Sequence, residues 1–151
     1  MSFSSIIVPT IRAATELSDA VNYRLCALEK IKGNQPGSRA DNKMAALSGI
    51  LAFTDGLTVV LRLTAPAIAA RVELACLPTR FFVGAFFLRS DSIYHQGTAF
   101  CQTATVLERG VQELGRRTNF INSAKYLSNT IVGVELITRI LNSITLTFLS
   151  R

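Results

Sequence analysis

Three residues able to do chemistry sit close together: Asp91, His95 and Cys101 span eleven positions, and His95 is the single histidine of the chain. If residues 91–95 are helical, Asp91 lies one turn from His95 and could orient its imidazole, leaving Cys101 as a thiol nucleophile. That would be a Cys/His hydrolase built on residues 91–101. No oxyanion-hole motif accompanies the group, and Ser90-Asp91-Ser92 forms a break beside it. A partly exposed structural histidine is the plainer expectation. Cys26, Cys76 and Cys101 lack CxxC spacing and, with one histidine, supply no ligand set for zinc. They fit buried thiols of a reducing compartment. No Gly-rich loop precedes a Lys-Ser/Thr pair, no GxGxxG follows a strand, and the acids are isolated. No enzymatic activity, no cofactor and no metal are expected.

The elements that would position such residues are dominated by one stretch. Met44–Leu88 runs for 45 residues with five charges, Asp55, Arg62, Arg71, Glu73 and Arg80. It must be covered by other helices, by a second copy, or by lipid. In the window Met44–Leu63 the strongly apolar side chains favour membrane insertion by about 3–5 kcal/mol, and Asp55 near its middle opposes this by about 3 kcal/mol. Insertion is therefore marginal, and a core shielded by protein helices is the favoured reading.

Hydrophobic residues make up 49% of the 151 and charged residues 17%, below the roughly 25% of ordinary globular chains. So few charges cover a small globule poorly, which points to an oligomer or a lipid contact. The net charge of +6 is scattered, densest from Arg24 to Lys43. It forms no basic stripe with interleaved aromatics, so nucleic acid is not expected as a partner. Acidic lipid headgroups suit it better.

Helical periodicity is clearest at the two ends of the chain. Ala14, Leu17, Val21, Leu25, Leu28 and Ile31 form one stripe over Ile11–Lys32, with Glu16, Asp19, Arg24 and Glu29 largely off it. Gly33–Ser38 then breaks the chain. A second helix, capped by Asp41 or Asn42, runs to about Leu63. Pro66 opens a short helix that Pro78 ends at Leu77. RFFVGAFFLR (80–89) reads as another short helix. Thr98–Arg117 is amphipathic through Phe100, Ala104, Leu107, Val111 and Leu114. Phe120 to about Leu149 carries Ala124, Leu127, Ile131, Val134, Ile137, Leu141, Ile144 and Phe148, close to a heptad seam. Glu135 and Arg139 form an i,i+4 pair expected on a wet face, which favours core over membrane span for this helix.

These features predict an all-α, single-domain bundle of about five or six helices with an apolar central hairpin. Residues 1–10 form a flexible N-terminus, 11–32 an amphipathic helix, 33–40 a linker and 41–151 an apolar helical core. The expected function is non-enzymatic: an interaction or structural protein that self-associates or binds a helical partner through apolar helix faces. The interaction residues are Leu17, Val21, Leu28, Leu127, Ile131, Val134, Leu141 and Phe148. The alternative is a membrane-associated protein inserting residues 44–88 into lipid. The uncharged, Ser-rich start up to Arg12 resembles the opening of type III secretion substrates, which would make that alternative a secreted bacterial effector. The expected location is cytoplasmic or membrane-associated.

Overall fold

A computed structural model describes residues 4–149, with side chains to 148. The protein is all-α, as the periodicity predicts, with packed helices and no strand among the described residues. Five helices follow one another: α1 (Ser4–Lys32), α2 (Ser38–Thr64), α3 (Pro66–Phe87), α4 (Ile93–Arg117) and α5 (Ile121–Leu149). They form two compact units, Met1–Cys76 with Ile140–Arg151, and Leu77–Arg139. Helices α3 and α5 contribute residues to both.

In the first unit α1 and α2 run antiparallel. Between them, Gln35 N–H returns to Lys30 C=O at 2.8 Å, and Gly37 takes a φ of 95° that suits a residue without a Cβ. Lys30 Nζ meets Asp41 Oδ2 at 2.6 Å, and Arg24 bonds Asn42, fixing the register of the pair. A single residue, Ala65, joins α2 to α3, and Arg62 Nε donates to Glu73 Oε1 at 2.9 Å across that hairpin. Asn22 Nδ2 donates to Thr147 Oγ1 at 2.9 Å, tying α1 to the last turns of α5.

In the second unit the end of α3, α4 and most of α5 are held by buried polar contacts. Arg80 Nη1 donates to Gln102 Oε1 at 2.5 Å. At Gly115 an added Cβ would stand 2.4 Å from the Ala124 Cβ, so the absent side chain is what lets α4 and α5 meet.

Several boundaries differ from expectation. Helix α1 begins at Ser4 rather than Ile11, within the segment expected to be flexible; residues 1–3 lie outside the described residues. Gly37, not Asp41 or Asn42, caps α2, while Asp41 is engaged by Lys30. Pro78 does not end its helix: α3 runs unbroken to Phe87 and includes most of the aromatic stretch. One missing amide and one crowded carbonyl are tolerated where the pyrrolidine ring lies on the exposed side. Helix α4 starts five residues before Thr98, at Ile93.

On α1 the expected interaction residues Leu17, Val21 and Leu28 are exposed together with Ile31, whereas Arg12, Glu16, Asp19 and Asn22 of the same helix are buried. The central stretch is not shielded as expected, because Ile50, Phe53, Leu57, Val60, Phe81, Phe82 and Phe86 are all exposed. Phe100, Leu107 and Leu114 likewise face outward while Gln102, Thr105 and Glu108 face in. Glu135 and Arg139 lie on no wet face: their side chains retain 0% and 2% of their exposure.

Candidate functional site

The Asp91–His95–Cys101 group does not assemble. His95 is buried rather than partly exposed, its Nδ1 is 3.0 Å from Ser90 Oγ, and the Phe87 ring meets its edge. Asp91 is exposed and makes no hydrogen bond or ion pair among the described residues. Cys101 is buried six positions further along α4, with Sγ directed at the Glu135 carbonyl at 4.0 Å. Six residues along a helix are separated by about 9 Å of rise and lie on different faces, so thiol and imidazole cannot share a proton. No group of three or more His, Cys, Asp or Glu residues among the described ones could hold a metal ion.

The arrangement that stands out is a polar interior beneath an apolar exterior. Glu135 Oε1 accepts from Arg139 Nε at 2.7 Å and from the Thr105 hydroxyl at 2.7 Å, and Arg139 Nη2 reaches Thr105 Oγ1 at 3.3 Å. One turn along α4, Gln112 Nε2 donates to Glu108 Oε1 at 2.8 Å and to Ser128 Oγ at 3.0 Å. These bonds form a seam between α4 and α5. Small and polar groups there let the helices approach and satisfy one another's hydrogen bonds.

Outside that interior, charge is missing over long spans. Between Lys43 and Arg62 helix α2 carries one charged residue, Asp55, and it is buried. From Tyr126 to its end α5 carries only Glu135 and Arg139, both buried. Residues 4–23 of α1 hold Arg12, Glu16 and Asp19, all buried. Among the described residues 29 large apolar side chains are exposed, against 13 buried apolar residues and 18 buried polar or charged ones. Buried polar side chains and exposed apolar ones in such numbers are the informative departures from the usual arrangement.

Helices Ser38–Thr64 and Ile121–Phe148 are long and apolar enough to cross a membrane, with mean hydropathies of 1.8 and 1.4 over their best windows. Of those windows 39% and 22% are buried within the chain.

The residues singled out for interaction on the basis of periodicity are placed as follows. Leu17, Val21, Leu28, Leu127, Val134, Leu141 and Phe148 are exposed, and Ile131 is half-buried. Sequence reasoning missed the buried seam of Thr105, Glu108, Gln112, Ser128, Glu135 and Arg139. Its signal was present: polar residues recur on α4 at 98, 102, 105, 108 and 112, a helical stripe as regular as the apolar one.

No protein-family model, no curated protein and no solved structure matches this chain.

Proposed function

We propose that this chain is a membrane-embedded helical protein with a structural rather than an enzymatic role, its helices packed through polar seams and its apolar faces turned to acyl chains. The observation that carries this reading is the outward-facing, uncharged length of α5 between Tyr126 and Phe148, with Glu135 and Arg139 folded inward. At about 1.5 Å per residue such a segment reaches the roughly 30 Å of a hydrocarbon core. A polar group facing lipid is costly, whereas one bonded to another across a helix contact is tolerated. Alkaline carbonate extraction of membranes from cells expressing the full chain is the test. Retention in the pellet is expected, and recovery in the supernatant without detergent overturns the proposal.

A second reading is favoured by one specific feature. Phe120, Leu127, Val134, Leu141 and Phe148 are all exposed and recur every seven residues. Lipid asks for no such repeat, whereas a partner helix does. Self-association or docking of a helical partner along α5 accounts for it, in the membrane or out of it. The mass of the detergent-solubilised chain tests this reading, with an oligomer expected and a monomer at all concentrations counting against it.

A further inference from the structure

The corner where α4 ends and α5 begins holds an open cleft of ≈ 300 Å³, lined among others by Gly115, Arg116, Ala124, Lys125, Ser128 and Asn129. Gly115 and Ala124 form its floor, since their close approach leaves no room for larger groups. Its wall is mostly apolar, and Arg116, Lys125, Gln112, Ser128 and Asn129 bring hydrogen-bond donors to it. Arg116 is exposed and shared with Glu113 at 3.5 Å. Lys125 is exposed and makes no ion pair among the described residues, and Asn129 is likewise exposed and uses neither amide group there.

Ser128 is 96% buried by contrast, being only 4% exposed, and accepts from Gln112 at 3.0 Å. It also lines the cleft, beside Lys125 and Asn129. The first intrahelical bond of α5 is Ala124 N–H to Phe120 C=O at 2.9 Å, so the amides before it add to the positive end of a 29-residue helix.

We propose that this cleft binds the phosphate group of an anionic ligand. Lysine supplies a mobile point charge and arginine a planar fork, and serine, with Asn129, supplies neutral donors to the remaining oxygens. Leu114, Phe120, Ile121 and Tyr126 are exposed around the corner. Apolar and aromatic groups beside a cationic cleft suit a headgroup whose acyl chains continue along the protein. Preferring a lipid headgroup to a free phosphate rests on the membrane reading; the cleft itself does not.

Native mass spectrometry of the full chain in a neutral maltoside detergent tests the site. The probes are short-chain phosphatidylglycerol, diacylglycerol of equal chain length, glycerol 3-phosphate and inorganic phosphate. Phosphatidylglycerol is expected to be retained, and Arg116→Glu with Lys125→Glu to weaken half-saturation about tenfold or more. Ser128→Ala is expected to weaken it less, and Arg71→Glu, a single charge reversal on another exposed arginine, to leave it unchanged. Competition by glycerol 3-phosphate or phosphate supports the site with a soluble ligand, and its absence supports it with a lipid. Equal retention of diacylglycerol, equal weakening by Arg71→Glu, or no effect of the double reversal overturns the proposal. If carbonate extraction releases the chain while phosphate binding persists, the membrane reading fails and the cleft stands.

Discussion

Arg139 and Glu135 lie one turn apart on α5, joined at 2.7 Å, and almost no part of either side chain meets the surroundings. Their charges are satisfied where neither water nor lipid reaches them, with Thr105 of α4 completing the group. A buried pair of this kind adds little net stability, because desolvation offsets most of the attraction. Losing one member is a different matter. Arg139→Leu leaves the Glu135 carboxylate without its counter-charge and is expected to destabilise the fold by about 3–5 kcal/mol, whereas Glu135→Leu with Arg139→Leu recovers most of that loss. Denaturation followed by circular dichroism in detergent measures both.

Ile137 separates the surroundings of α5 with one substitution. It is 62% exposed near the middle of the uncharged face. Facing water, Ile137→Lys would alter stability by no more than about 0.5 kcal/mol. Facing acyl chains, it costs about 2.5–3.5 kcal/mol of insertion. A marked drop in the carbonate-resistant fraction is expected, and an unchanged fraction would remove the membrane reading from this helix.

Gly115 is the point where α4 and α5 come closest. Gly115→Ala places a Cβ 2.4 Å from that of Ala124 and forces the helices apart. A loss of about 1–3 kcal/mol is expected from such overpacking. Gly115→Ala with Ala124→Gly restores the missing space and should be more stable than the single substitution. Comparing thermal midpoints of the two variants checks this.

Glu113 gives the end of α4 a pH dependence. A hydrogen bond from Arg117 holds its carboxyl below the ordinary carboxylate value, burial opposes this, and the charges of Arg117 and Arg116 add to it. A depressed folded value means that the contribution to stability is present above the unfolded value and is lost as pH falls through the folded one. The difference in thermal midpoint between the wild type and Glu113→Gln should be small near neutrality and close on acidification. A gap that widens at low pH would contradict the assigned sign.

Much of the local structure was legible before any tertiary contact was known. Four-and-three spacing located α1, α4 and α5, Gly33–Ser38 marked the first turn, and Pro66 marked the start of α3. Pro78 misled, because its effect depends on whether neighbouring helices hold α3 together across the lost hydrogen bond. The His95 and Cys101 pairing failed for a geometric reason, since six residues of helix hold two side chains apart however close they look in the chain.

What the sequence by itself determined is therefore the all-α class, the helix axes and the division of each helix into a polar and an apolar face. It did not decide which face points inward. Periodicity is symmetric in that respect: a stripe of Leu, Ile and Phe opposite a stripe of Thr, Gln and Glu describes a water-soluble helix and a lipid-facing one equally well. Only the packing of α4 on α5, through Glu135, Arg139, Thr105 and the missing side chain of Gly115, turned the polar stripes in and left Leu127, Val134 and Leu141 outside. Direction depends on which partner satisfies each polar group, and that is a property of helices brought together.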